Sequence, residues 1–388
     1  MARTLPVAAA QMDVAPAPTV ERLARAQALV ARAADEGARV VVLPELFNTG
    51  YAYDDANYRR AEPLHGPTIA WMTETAQQHN LYLAGSLLLL DEARDEIYNT
   101  LLLIGPEGQR WRYDKRYPWG WERAYFRAGH GITVAETKLG RFGLLICWDV
   151  AHRDLWQRYA GKVDLMLISS CPPNLADPTY ILPDDPDDYE ITAGQMGPIF
   201  KSLRKTGRRV FVDMAAEQAA WMNVPVIGTS GAGQFESAIP QGRATLAAML
   251  PLAPHLLPHI ARADRLRVRC DMLPATQIVD ADGAVVAACS QDTGETIITA
   301  KVALPDVALR PLAPQPPAHV PGLSYAISDV VLPALTRQQY RRRLRRTYGH
   351  WMAPIDTVLR NYALSAAAGM ILSFLLGLLL GRWSKKAR

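Results

Sequence analysis

Apolar positions recur with two different periods along this chain, and the periods alternate. Residues 5–11 form a short apolar run that predicts a strand, and residues 19–36 repeat apolar side chains at helical spacing until Gly37 ends them. Residues 40–43 are wholly apolar and predict a buried strand. A helix is expected over 67–79, then a strand over 81–90 that pairs with 98–104 ahead of a turn at 105–108. Buried strands over 142–146 and 165–168 flank a helix around 153–160. A helix over 210–222 leads into a strand over 224–229, and 277–279 and 285–288 flank a turn at 280–283 as a hairpin. Together these predict an α/β domain whose helices cover a largely apolar sheet. No internal repeat is present.

Several stretches break the rhythm. Residues 177–190 carry six acids and three prolines, which predicts an irregular, solvated loop. Residues 244–261 hold no charge but are broken by Pro251, Pro254 and Pro258; they are read as an apolar insertion lying on a membrane or over an active site. Residues 304–321 are proline-rich and read as a linker toward a basic juxtamembrane segment that ends at 360. Residues 361–381 then run for 21 positions without a charge. As a helix they would reach about 31 Å, the thickness of a bilayer's hydrocarbon core. Arg360 before them and Arg382, Lys385, Lys386 and Arg388 after them clamp both ends. The expectation is a C-terminal transmembrane helix, the alternative being a buried helix of a soluble domain. Arg341, Arg342, Arg343, Arg345 and Arg346 favour a single-pass protein with its body on the cytoplasmic side. The first residues have no extended apolar core, so no N-terminal signal competes.

Composition narrows the class. With 388 residues, 49% hydrophobic, 21% charged and only 4 Cys, the chain is neither disordered, collagen-like nor disulfide-stapled. The net charge of +4 is uneven: from Arg337 onward there are eleven Lys or Arg against Asp356 alone, which leaves the body net acidic. That argues against nucleic acid as a partner and suggests membrane lipid near the C-terminus. Four scattered cysteines fit a reducing compartment, and none has the spacing of a metal site.

Three reactive side chains each follow a predicted strand. Glu45 stands in VVVLPELFNTGY, Lys115 in WRYDKRYPWGWERAYFRAG with Glu122 seven residues on, and Cys147 in GRFGLLICWDVAHRDL. Each alone is unremarkable, since free Cys packs as a small hydrophobe. In this order and spacing they resemble the Glu, Lys and Cys motifs of the nitrilase (carbon–nitrogen hydrolase) superfamily. The resemblance runs over residues 5–303, interrupted near 235–269. It implies a four-layer α–β–β–α sandwich, a Glu45–Lys115–Cys147 triad, a further active-site carboxylate at Glu122, no metal or organic cofactor, and a homodimer or larger homo-oligomer. Glu45 would be the base that activates the Cys147 thiol. Lys115 and the Trp148 backbone N–H would hold the oxyanion. Tyr117, Trp119 and Trp148 are candidates for an apolar pocket, core packing being an equal account. Nitrilases usually carry Cys-Trp-Glu; here Cys147-Trp148-Asp149 stands instead, so an amide, apolar ones included, is expected before a nitrile. The alternatives are a nitrilase, an N-acyltransferase and a catalytically silent membrane scaffold.

Overall fold

Alternation inside the first strand decides the layering. In Arg3–Asp13, Val7 and Ala9 face one core while Ala8, Ala10 and Met12 face another. The computed structural model describes residues 3–183, 188–192, 195, 206–250, 253–290, 292–305 and 310–348. Its central sheet has seven strands. Arg3–Asp13 runs parallel to Val40–Val42 and Ser230–Ala232 and antiparallel to Thr296–Leu304, and the sheet continues through Tyr82–Asp91, Glu96–Ile104 and Arg110–Asp114. A second sheet of six strands is built around Gly140–Ile146, Leu165–Ser169 and Val226–Gly228, which pair in parallel.

The Val7 face of the first sheet joins Ile146, Leu165, Leu167 and Ile227 of the second in one core. Its opposite face takes Ala26, Leu29 and Val30 of helix α1 (Thr19–Asp35) and Ile69, Met72 and Ala76 of helix α2 (Pro67–Gln78). Leu155, Trp156 and Tyr159 of helix α3 (Arg153–Tyr159) and Ala219 and Met222 of helix α4 (Met214–Met222) belong to the core of the second sheet. The order is helix, sheet, sheet, helix, as the motifs implied. Because strand ends of both sheets meet here, side chains that follow them can converge.

Three expectations are corrected or extended, and one further strand is found. The stretch 177–190 is not wholly irregular: Thr179–Leu182 and Tyr189–Thr192 form an antiparallel pair. Thr, Tyr and Ile at these positions are β-formers, and the partner strand Arg267–Asp271 hydrogen-bonds Thr179–Leu182 despite the acids and prolines around it. The insertion is part of the same four-stranded sheet. Gln234–Ala238 pairs with Arg267–Asp271, and between them lie helix α5 (Gly242–Met249) and a 3-10 helix, Pro254–Arg265, that tolerates its prolines by never forming the α-helical bonds. Leu246, Ala253, Leu256 and Ala263 are buried, whereas Ala247, Ala248, Leu257 and Ala261 are exposed, so its apolar side chains are shared between a protein core and the surface. Thr296–Leu304 pairs along its whole length with the first strand. Finally, the segment after the proline-rich stretch is not only a spacer. A helical run begins at Gly322, passes through a π-helical turn, Ala326–Val331, and continues as helix α6 (Leu332–Tyr348). Ser328, Leu332, Thr336 and Tyr340 on it are buried.

Residues up to Tyr340 make one compact unit; 341–388 make another, described here only as the end of α6. The charge-free stretch 361–381 lies outside the described residues. Among the described residues no helix is long and apolar enough to cross a membrane.

Candidate active site

Glu45, Lys115 and Cys147 each sit one to three residues beyond a strand, and the three strands deliver them to one place. Glu45 follows Val40–Val42; its backbone N–H donates to Ser170, and Leu46 beside it has φ +52°. Lys115 follows Arg110–Asp114 and is held by backbone hydrogen bonds to Asn99 and Gly129. Gly129 has to be glycine: a Cβ there would lie 2.2 Å from the Asp114 carbonyl oxygen. Cys147 ends Gly140–Ile146 with φ +47° and opens the one-turn 3-10 helix Cys147–Ala151. For a residue with a side chain that conformation is strained, and it lifts the thiol out of the strand's own line.

All four candidate groups are buried, Lys115 and Glu45 almost completely. Lys115 Nζ donates to Glu45 Oε1 at 2.7 Å and lies 2.8 and 2.7 Å from the two oxygens of Glu122. Asn99 Nδ2 also donates to Glu45 Oε1, at 2.7 Å. Glu45 Oε2 is left without an ordinary hydrogen-bond donor, and the Cys147 thiol lies close enough to act on this carboxyl. Glu122 is fixed from three sides, by Lys115, by the Tyr51 hydroxyl at 2.5 Å and by the Trp119 backbone N–H at 2.7 Å.

The electrostatics follow from burial. Glu45 is pushed up to about 7 by desolvation, with Glu122 adding to the rise and Lys115 opposing it. Burial alone would lower Lys115, but Glu122 and Glu45 more than offset it and hold the ammonium well above its usual range. The Cys147 thiol is raised well above its ordinary value by burial and by the Glu45 charge, with Lys115 and a hydrogen bond from the Cys171 backbone N–H pulling the other way. The resting site is thus a protonated thiol beside a carboxyl poised near neutrality and a permanent cation.

Some of the surrounding residues do something other than expected. Trp119 contributes its backbone N–H to Glu122, while its ring stands edge-on to Trp121 at 5.3 Å. Tyr117 stacks on His152 at 3.5 Å and donates to Asp154. The Trp148 indole donates to Asp329. Asp149 accepts from the backbone N–H of Tyr117 and Ile146 and from the Tyr113 hydroxyl, so it locks the nucleophile turn to the lysine segment. Burial raises it to about 6. Asn99 and Tyr51 escaped the sequence reading; the NTGY that follows Glu45 was the available signal for Tyr51, and Asn99 has none outside the strand it sits on. Phe235 and Ser237 of the insertion reach this neighbourhood: Phe235 packs against Tyr51 and Tyr53, and Ser237 Oγ accepts from the Tyr53 N–H. A separate cleft of about 560 Å³, lined by residues that include Asp154, Arg158, Lys162 and Arg310, contains none of the four groups. Among the described residues no group of His, Cys, Asp and Glu could hold a metal ion.

A model of the family described as Carbon-nitrogen hydrolase matches residues 6–179. The omega-amidase NIT2 of Danio rerio is 31% identical over 245 residues, 56% of this chain and 81% of that protein. The chain is a carbon–nitrogen hydrolase. The hydrolase is also 34% identical to the omega-amidase YafV of Escherichia coli K12 over 133 residues, 34% of this chain and half the length of that relative. Among solved structures, a CN-hydrolase superfamily protein from Xanthomonas campestris superposes with a TM-score of 0.55 over 78% of this chain and 91% of that one, at 18% identity. It shares the nitrilase-type fold of the hydrolase described here.

Proposed function

We propose that this hydrolase cleaves the C–N bond of a small non-peptide amide through an acyl-enzyme on Cys147. The observation that carries the reading is the asymmetry of Glu45: Oε1 is held by Asn99 and Lys115, Oε2 accepts no hydrogen bond, and the Cys147 thiol lies near enough to the carboxyl to act on it. A base near pH 7 matches what proton transfer at neutral pH needs. Glu45 takes the thiol proton as Sγ attacks the amide carbon. An ammonium has three N–H donors; Lys115 gives one to Glu45 and one to Glu122, and the third is available for the developing oxyanion, together with the Trp148 backbone N–H. The tetrahedral species collapses to a thioester, and the leaving nitrogen takes the proton from Glu45. Water, deprotonated by Glu45, then releases the carboxylic acid and restores the thiol.

Amides are favoured over nitriles because the residue two after the nucleophile is Asp149, whose carboxylate is spent on the Tyr113 hydroxyl and two backbone N–H groups. Steady-state ammonia release from short aliphatic amides and their matching nitriles tests this. Turnover of amides with none of nitriles is expected, and preferential nitrile turnover would overturn it. The omega-amidase relatives support placing dicarboxylic acid monoamides in the panel. We further propose that residues 361–381 anchor the protein in a membrane with the catalytic body on the cytoplasmic side, and that it works as a homodimer or larger assembly. Retention in the membrane pellet after alkaline carbonate, lost when 361–388 is deleted, supports the anchor; release of the full chain refutes it.

A further inference from the structure

The C-terminal run from Gly322 to Tyr340 lies against both segments that build the candidate site. On the nucleophile side, Asp329 Oδ1 accepts from Trp148 Nε1 at 3.2 Å and Asp329 Oδ2 lies 3.5 Å from His152 Nε2. The Tyr325 ring packs 6.1 Å from the Trp148 ring and 5.4 Å from His152, and its hydroxyl donates to the Ala151 carbonyl. On the Glu122 side, Leu332 sits so close to Gly120 that a Cβ there would come within 2.7 Å of it. Farther along, the Tyr340 hydroxyl donates to Glu96 and accepts from the Ile97 N–H. Ser328, Leu332, Thr336 and Tyr340 are at most 4% exposed. Asp329 itself is carried on a π-helical turn, a rare form that is frequent at functional sites.

We infer that Asp329 is a positioning residue for hydrolysis: through the Trp148 indole it holds the turn that carries Cys147 and the oxyanion-binding Trp148 backbone N–H. The argument is geometric. Trp148 follows a nucleophile with φ +47° in a 3-10 helix of only five residues, Cys147–Ala151, so its backbone direction is set beside a strained residue within a short element. Asp149 ties this turn to the lysine segment, and the Trp148 ring ties it from the other direction to Asp329. His152, Arg123 and Tyr325 flank the same carboxylate. The segment that follows the proline-rich stretch therefore belongs to the catalytic apparatus and does not merely connect it to the C-terminus.

This inference rests on the proposed role of Cys147, and full-length variants separate the two. Asp329→Leu removes the acceptor, Asp329→Asn keeps an acceptor oxygen without the charge, and Trp148→Phe removes the donor. Asp329→Leu and Trp148→Phe should each lower kcat about five- to tenfold, the size of one hydrogen bond, with KM within about twofold. Asp329→Asn should stay close to wild type, and Trp148→Phe/Asp329→Leu should be no slower than either single variant. Unchanged kcat in folded Asp329→Leu, multiplied losses in the double variant, or Asp329→Asn as slow as Asp329→Leu would each overturn it. Should Asp329→Leu fail to fold, wild-type kcat in Trp148→Phe overturns it alone. Turnover retained in Cys147→Ala would instead refute the acyl-enzyme reading.

Discussion

Replacing Glu45 with Gln isolates the base from the rest of the buried cluster. Gln keeps an oxygen at Oε1 for Asn99 Nδ2 and Lys115 Nζ, both at 2.7 Å, and changes only the position that accepts no hydrogen bond. Burial lifts Glu45 from 4.5 to about 7, so ionising it within the fold costs about 3 kcal/mol. The amide removes that penalty, while Lys115 loses one of its two carboxylates but keeps Glu122 at 2.7 Å. These effects oppose each other, and the variant should melt within a few degrees of wild type. Catalysis has no such compensation, because the raised thiol of Cys147 has nowhere to send its proton. Amide turnover should fall roughly 10²–10⁴-fold, the contribution of a general base. Wild-type kcat/KM should rise with pH through about 7, since Glu45 acts only when ionised and holds its proton below that value; in Glu45→Gln this limb disappears. Ammonia release across pH 5–9, with thermal melting as the fold control, is the assay. Turnover within tenfold of wild type, or a wild-type profile with no limb near 7, would refute the reasoning.

Gly129→Ala places a methyl 2.2 Å from the Asp114 carbonyl oxygen, immediately before Lys115; the variant should lose about 1–3 kcal/mol of stability by urea unfolding and also lose activity through a displaced lysine. Asp149→Asn turns an NH₂ group toward either the Tyr117 N–H or the Ile146 and Tyr113 donors, and should cost about 1–3 kcal/mol at pH 8 by urea unfolding. Stability equal to wild type in either variant would contradict the contacts described.

How much of this was legible beforehand depends on how local the signal is. The strand over 40–43 and helix over 67–79 recur as Val40–Val42 and Pro67–Gln78 because one period dominates each. Glu45 and Cys147 could be read because each follows an apolar run within three residues, and Lys115 because its segment stands between them in the matching order. Thr179–Leu182 and Tyr189–Thr192 could not, since the first depends on a partner strand about 90 residues on, the second depends on the first, and both sit among acids and prolines that signal a loop. Asn99 looks like any polar residue on a strand until the fold brings it to Glu45. The contact between Asp329 and Trp148 joins positions 181 residues apart, beyond the reach of any local pattern.

The central claim is a covalent intermediate on Cys147, and intact-protein mass spectrometry of acid-quenched turnover tests it directly. With an amide substrate, the account predicts a mass increase equal to the substrate less its leaving amine, located on Cys147 after digestion and absent from Cys147→Ala, which should not turn over. Sustained amide turnover by Cys147→Ala, or an acyl group found on another residue, would contradict it.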